Sequence, residues 1–360
     1  MALIALAVLP FAVSLLVCAL MIRLGPKDAP DGGRKTQAAP VPSSGGIGVM
    51  AGIAAAAAAG SFIGMPFPEW LGTPPLAGLA AFAVFAGLLG WADDVRALPA
   101  GLKLVLLLGA AAAAVMIGPQ VTTLWIAGSG YSIPLVLGLV GAAAFIFVMA
   151  NAVNFMDGAN GIAMGTAMII LLMLAVILAP DAVYSAGVRL PGMLMALLIA
   201  AAAALAGFLV WNLQGKLFAG DAGSLSAGGL IGGASALFAV NGPVLVPLTL
   251  CLPVLVDVLM TLAWRARNGR PLMQAHRDHA YQLLLRAGWR HGQVARLWWG
   301  MTAFCGLAVL AGPFAAATGI FGKPSMPLDV IVFSVLLVLG AGLWMRQRMT
   351  IGRRLEASVQ

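Results

Sequence analysis

Charged residues are scarce in this chain. Only 9% of its 360 residues are Asp, Glu, Lys or Arg, whereas a soluble domain typically has about 25%. Hydrophobic residues make up 62% of the chain, and the mean hydropathy is +1.01. Because so little polar surface is available to face water, the composition excludes a soluble globular protein and a disordered chain.

Cysteine is also scarce, with three residues in the whole chain. Cys18, Cys251 and Cys305 each lie inside an apolar run, and none forms a CxxC pair. This excludes a small disulfide scaffold, and it gives no indication of a thiolate metal site.

Long apolar runs are what the sequence has in abundance. A helix that crosses a bilayer needs roughly 20 mostly apolar residues, and its backbone must bond internally. We therefore predict an all-α, polytopic membrane bundle of about eleven transmembrane helices. Their approximate cores are 2–22, 45–65, 75–92, 102–118, 133–150, 161–180, 190–210, 223–240, 244–264, 294–316 and 327–345.

Basic residues are distributed unevenly among the connections. Eighteen of the 20 Lys and Arg residues fall on one side of this bundle, and only Arg189 and Lys323 fall on the other. The positive-inside rule makes the basic side cytoplasmic, the N-terminus external and the C-terminus cytoplasmic. The net charge of +8 then reflects topology, and we expect no nucleic acid partner. We expect one integral membrane domain over 1–346 and a basic tail over 347–360.

The first apolar run raises the question of a cleaved signal peptide. Such a peptide carries positive charge before its apolar stretch. Here no Lys or Arg precedes Arg23, so we expect a retained helix.

Acidic residues concentrate on the same cytoplasmic side, in polar islands at the ends of apolar helices. Ionisable groups at the edge of the hydrocarbon are costly and suggest function. The first polar island, 92–103, contains Asp93 and Asp94 with Lys103 nearby. Adjacent carboxylates repel each other and favour a divalent cation or basic neighbours. A solvated helix end is the alternative.

Two further islands are rich in amides and glycine. The loop 151–161 contains Asn154, Asp157 and Asn160, which could bind a base or sugar or form an ordinary helix cap. In the loop 211–224, Asp221 stands where a helix begins. A helix N-terminus suits a phosphate, and Mg²⁺ prefers one or two carboxylates with substrate phosphates. The alternative is a capped glycine turn.

The remaining loops, 24–46 and 265–293, are basic and polar. The second contains His276, Arg277 and His279. Its cations suit an anionic substrate, but a positive-inside flank looks the same. Two nearby histidines fall short of a zinc site.

Taken in order, these islands resemble the polyprenyl-phosphate N-acetylhexosamine-1-phosphate transferases, of the glycosyltransferase 4 type. The matching stretches are 90–104, 151–165, 211–229 and 253–284. The resemblance implies that a lipid phosphate, usually undecaprenyl phosphate, attacks a UDP-sugar and that UMP leaves. It also implies a bacterial inner-membrane enzyme with a cytoplasmic active site. The cofactor would be Mg²⁺, with Mn²⁺ as a substitute, and a homodimer is one candidate assembly.

The resemblance also implies roles for individual residues. Asp221 corresponds to the metal-binding aspartate and Phe218 to an aromatic that stacks on uracil. The residues implied to be catalytic are Asp93, Asp94 and Asp157. The substrate-binding residues are Lys103, Asn154, Asn160, His276, Arg277 and His279.

The sequence departs from the family pattern at two places. Asn160 replaces a second aspartate, which removes a charge from the nucleotide pocket. The stretch His276–Gln282 lacks the run of histidines found in several branches. It resembles the branch that starts O-antigen or capsule chains with UDP-FucNAc-like or UDP-QuiNAc-like donors, and it argues against the peptidoglycan branch.

Two questions stay open at this level. A secondary transporter is also compatible with many helices and intramembrane acids, although such proteins often show internal repeats and midplane sites. For a transferase, the lipid phosphate could attack directly, or a phospho-aspartate could form first.

Overall fold

The protein is built from long helices joined by short connections. A computed structural model describes residues 2–28, 40–62, 74–179, 192–274, 276–318 and 328–352. The helices are α1 (Ala2–Leu24), α2 (Gly45–Phe62), α3 (Pro74–Val95), α4 (Ala100–Ile117), α5 (Leu135–Met156), α6 (Ile162–Ile177), α7 (Gly192–Asn212), α8 (Gly220–Ala239), α9 (Leu245–Arg267), α10 (Ala280–Arg286), α11 (His291–Thr318) and α12 (Leu328–Gln347). A π-helical turn, Arg348–Gly352, continues α12.

These helices confirm an all-α, multi-pass membrane protein. Nine helical segments in the described ranges are long and apolar enough to cross a bilayer. Two shorter apolar helices, Gly45–Ala59 and Ile162–Ile177, lie over two further apolar runs. Each of the eleven runs therefore coincides with a helix, while the number of crossings and their orientation stay predictions.

The helices extend further into the polar islands than expected. Helix α5 continues to Met156, so the first six residues of the loop 151–161 are helical. Polar side chains can remain in this helix because they form hydrogen bonds within the protein. The Nδ2 atom of Asn151, for example, donates to the carbonyl oxygen of Phe147 at 2.8 Å. Helix α8 begins at Gly220, which confirms the expected helix start at Asp221.

Two small antiparallel pairs were not expected from the sequence. Strands β1 (Lys27–Asp28) and β2 (Val41–Pro42) pair at the two ends of the loop 24–46. Strands β3 (Thr123–Ile126) and β4 (Ser129–Ser132) form a hairpin. Its turn residues, Ala127 and Gly128, both have positive φ, at 55° and 73°, which suits a tight two-residue turn.

Helix α8 forms the centre of the bundle. All its residues from Ala222 to Ala239 are buried, and it packs against α3 and α5. Most of its side chains are Gly, Ala or Ser, which let helix backbones approach closely in a membrane. An added Cβ at Gly232 would lie 2.7 Å from the Cα atom of Ile146 in α5. This packing fixes the first turn of α8 beside the ends of its neighbours.

We predict that Gly232→Ala lowers the thermal-unfolding midpoint of the detergent-solubilised protein. The new methyl group would force α5 and α8 apart, and overpacking typically costs about 1–3 kcal/mol. Gly141→Ala is the matched control, because a Cβ there meets no atom within 4 Å. Equal midpoints for the two variants, measured by fluorescence-detected size exclusion after heating, would contradict this account of the packing.

Candidate active site

Four helix ends place polar side chains next to one another. Asp93 and Asp94 lie at the end of α3, Lys103 in the first turn of α4, Asn154 near the end of α5, and Asp221 at the start of α8. We call these five residues the carboxylate cluster. Residues from three predicted islands thus meet in one place.

The ammonium group of Lys103 lies between two carboxylates of the cluster. Its Nζ atom is 2.9 Å from Oδ2 of Asp93 and 2.6 Å from Oδ2 of Asp221. The three side chains are only 17%, 18% and 26% exposed, respectively. Partial burial weakens the screening of these contacts by solvent. Lys103 is therefore the counter-charge that allows Asp93 and Asp221 to face each other.

Asn154 holds the other oxygen of Asp221. Its Nδ2 atom donates to Oδ1 of Asp221 at 2.8 Å and to Oγ of Ser224 at 2.9 Å. Ser224 in turn donates to the carbonyl oxygen of Gly220 at 3.0 Å. Ser224 had no predicted role, although its position three residues after Asp221 places both on one face of α8. The orientation of the Asp221 carboxylate is thus set by Lys103, Asn154 and Ser224.

Asp94 differs from its neighbour in what it contacts. Its Oδ1 atom accepts from the backbone N–H of Asp221 at 3.1 Å, and its Oδ2 atom accepts from that of Ala222 at 3.3 Å. The start of a helix has free N–H groups and a partial positive charge, and a carboxylate at this position stabilises both. Gly220 has φ +71°, and a Cβ there would collide with Asp94. Asp94 therefore fixes the first turn of α8.

Asp157 lies just after α5, and its pKa is affected both by burial and by two carboxylates of the cluster. Burial raises its pKa well above the ordinary value, and the negative charges of Asp221 and Asp94 raise it further. The cluster itself has an excess of acids, because Lys103 is the one basic residue among its five members, beside Asp93, Asp94 and Asp221. A bound cation would relieve the excess.

The loop after Asp157 is held by α7 and α11. The backbone N–H of Asn160 donates to Nδ1 of His291 at 3.1 Å, and that of Gly161 donates to Oδ1 of Asn212 at 2.7 Å. The indole N–H of Trp299 donates to the carbonyl oxygen of Gly161 at 2.9 Å. His291 and Asn212 are partners that the sequence reasoning did not identify, because both contacts join distant parts of the chain.

Phe218 lies beside the start of α2. Its backbone N–H donates to the carbonyl oxygen of Pro42 at 2.8 Å, and its own carbonyl accepts from Gly45 at 2.9 Å. Its side chain is half-buried. This pairing brings one end of the loop 24–46 next to the first turn of α8. Residues 29–39 of that loop lie outside the described residues.

The histidines of the last loop lie near the second polar island. The His276 and His279 ring centroids are 4.9 Å apart, and His279 is 6.1 Å from Phe155. The Tyr281 hydroxyl donates to the carbonyl oxygen of Phe155 at 3.0 Å. His279 is buried, whereas His276 and Arg277 are half-buried. These contacts join the histidine segment to Phe155, next to Asn154, rather than directly to the carboxylate cluster.

Asp257 supports this segment from within the bundle. It is a buried residue of α9, and it accepts from the backbone N–H groups of Ala280 at 2.7 Å and Tyr281 at 3.3 Å. Asp257 therefore caps the start of α10. This role was not predicted, because Asp257 is distant in sequence from Ala280 and Tyr281.

The donor atoms present suit a hard cation held partly by substrate. In the described part of the chain, no three His, Cys, Asp or Glu side chains converge to form a metal site made of protein alone. Mg²⁺ is usually bound by one or two carboxylates together with phosphates and water. The carboxylate cluster is compatible with that mode of binding, and Asp221 is its most exposed member among the residues paired with Lys103.

Comparisons with known proteins identify relatives over most of the chain. Residues 76–239, which include the whole carboxylate cluster, match the model of glycosyl transferase family 4. The chain is 32% identical to the phospho-N-acetylmuramoyl-pentapeptide-transferase of Mycobacterium avium strain 104, over 77% of this chain and 86% of the relative. The enzyme of the same name from Mycobacterium tuberculosis strain H37Rv matches with the same identity and coverage.

We predict that Lys103→Met lowers the thermal-unfolding midpoint by about 3 °C or more, because Asp93 and Asp221 lose their shared counter-charge. Adding Asp221→Asn to this variant should restore part of the loss. Lys216→Met is the control, since Lys216 is exposed and packs over the Trp211 ring. If both single variants melt at the same temperature, Lys103 does not neutralise the cluster.

Proposed function

Because the chain belongs to glycosyl transferase family 4, we propose that it transfers a sugar-1-phosphate from a UDP-sugar to undecaprenyl phosphate and releases UMP. The observation that carries this proposal is the position of the carboxylate cluster. It lies at the ends of apolar helices, where a lipid phosphate and a water-soluble nucleotide could meet.

The electrostatics of the cluster fit the demands of this reaction. The acceptor phosphate is already negatively charged, so catalysis depends on neutralising charge and aligning the reactants. We assign Lys103 to phosphate binding and Asp221 to the binding of Mg²⁺ or Mn²⁺. The metal would supply charge neutralisation at the diphosphate. The three carboxyl groups of the cluster, set against the single ammonium group of Lys103, support a cation at this end of the bundle.

The donor pocket extends from the cluster toward the last loop. We propose that Phe218 stacks on uracil and that Asn154, Asp157 and Asn160 line the nucleotide pocket. His276, Arg277 and His279 would bind the diphosphate or the sugar. Support comes from the contacts that join these segments through Phe155 and His291.

The two adjacent acids take different roles in this proposal. Both oxygens of Asp94 accept hydrogen bonds from the start of α8, so we assign Asp94 to positioning Asp221. Asp93 contacts Lys103 and accepts from the N–H of Leu98 at 2.7 Å, and we assign it to aligning the acceptor or taking its proton. An oxygen of the lipid phosphate then bonds to the sugar-linked phosphorus as the bond to UMP breaks. A phosphorylated enzyme trapped with UDP-sugar alone would favour the covalent route instead.

We place the enzyme in a bacterial inner membrane with this site facing the cytoplasm. The distribution of basic residues supports that orientation. The single domain over 1–346 would contain the residues that we assign to the metal and to the substrates. A secondary transporter is the competing class. Uptake of a solute into proteoliposomes without any UMP release would favour it.

Two classes of donor have specific support. The stretch His276–Gln282 favours a 6-deoxy-N-acetylhexosamine donor and a role at the start of O-antigen or capsule synthesis. The name of the relatives favours a phospho-N-acetylmuramoyl-pentapeptide donor.

We predict that a panel of UDP-sugars, scored by UMP release in the presence of undecaprenyl phosphate and Mg²⁺, favours UDP-FucNAc or UDP-QuiNAc. Their kcat/KM should exceed that for UDP-MurNAc-pentapeptide by at least about tenfold, equivalent to about 1.4 kcal/mol. A preference for the pentapeptide donor would reverse the branch assignment while leaving the reaction class intact.

We predict that Asp221→Asn lowers UMP release by at least about 10²-fold, since the substitution removes the charge assigned to metal binding. Asp329→Asn is the matched control. Its carboxylate is in the first turn of α12 and accepts from the N–H of Ala127 at 3.0 Å. Full activity of Asp221→Asn at the wild-type Mg²⁺ requirement would overturn the metal assignment.

A further inference from the structure

The π-helical turn after α12 contacts other parts of the bundle, and none of its residues has a role in the proposed reaction. Its first residue, Arg348, is buried although it carries a positive charge near the end of the described chain. We infer that Arg348 is a positioning residue, which holds the segment His276–Tyr281 in the geometry that binds the nucleotide-sugar donor. This inference rests on the proposed function for the role of that segment.

The Arg348 guanidinium contacts the Trp264 ring and the backbone of Asp278. Its Cζ atom lies over the Trp264 ring, 3.4 Å from the ring centroid, in a cation–π contact. Its Nη1 atom donates to the backbone carbonyl of Asp278 at 3.2 Å. The first contact holds the guanidinium against α9, and the second holds the backbone of the segment just before His279.

The residue before Arg348, Gln347, also holds the segment His276–Tyr281. The side-chain amide of Gln347 donates to the carbonyl oxygen of Ala280 at 2.6 Å. From the opposite side, Asp257 accepts from the N–H of Ala280 at 2.7 Å. The peptide groups around His279 are therefore held between α9 and the end of α12.

The charges around Asp278 allow Arg348 to be removed without leaving a buried carboxylate alone. Arg265 forms an ion pair with one oxygen of Asp278, and Arg270 lies 3.5 Å from the other. Arg348 is more distant from that carboxylate, at 3.9 Å. A buried carboxylate that lost all its arginine partners would strongly destabilise the fold. Arg348→Ala, however, leaves Arg265 and Arg270 beside Asp278. We therefore expect this variant to fold and its defect to be one of geometry.

The kinetic test measures KM for each substrate separately. Arg348→Ala should raise KM for the UDP-sugar about tenfold, while KM for undecaprenyl phosphate and kcat change less than about threefold. A loss of folded protein would lower the apparent kcat and leave KM unchanged. Arg346→Ala removes the same charge from an exposed position two residues away and should match the wild type. An unchanged donor KM in Arg348→Ala would overturn the positioning role.

A second measurement does not depend on activity. Hydrogen exchange in detergent should show the amides of Ala280 and Tyr281, which donate to Asp257, exchanging about tenfold faster in Arg348→Ala than in Arg346→Ala. Equal exchange in the two variants would overturn the inference even if the wild type transfers sugar phosphate. If the wild type releases no UMP from any UDP-sugar, the proposed function fails, and the exchange experiment still decides whether Arg348 holds the segment.

Discussion

Close packing around α8 is the constraint on which the rest of the structure depends. A helix can be buried along almost its whole length in this bundle because its side chains are small. The neighbouring helices α3 and α5 then pack against it closely, as Gly233 illustrates for α3 and Gly232 for α5. Asp93, Asn154 and Asp221 are brought together by this packing. The apolar core therefore determines the geometry of the polar site.

Electrostatic balance decides what such a site can do. Lys103 neutralises part of the charge, and the N–H groups at the start of α8 stabilise Asp94. The cluster nevertheless has three carboxyl groups, those of Asp93, Asp94 and Asp221, and only one ammonium group. A site of this kind favours a cation and, through it, phosphate groups. The cluster also lies at the ends of apolar helices, which suits the lipid and the water-soluble substrate of the proposed transfer.

Hydropathy was sufficient to locate the long apolar helices, since each apolar run coincides with one, but it did not reveal the short helix α10. Polar side chains made the helix ends harder to predict: Asn151 and Asn154 suggest a loop until their partners are known. The sequence could assign Asp93 and Asp221 to the same side of the bundle. It could not show that Lys103 lies between their carboxylates. Nor could it distinguish Asp94 from Asp93, or show that Asp257 caps α10. Those roles depend on contacts between distant segments, which local patterns do not encode.

The central claim is that the carboxylate cluster transfers a sugar phosphate onto a lipid phosphate. It is tested most directly by measuring UMP release from purified protein in liposomes with and without undecaprenyl phosphate. The account predicts that UMP and lipid-diphospho-sugar appear in equal amounts, and only when lipid phosphate, UDP-sugar and Mg²⁺ are all present. UMP release at the same rate without the lipid phosphate would contradict it.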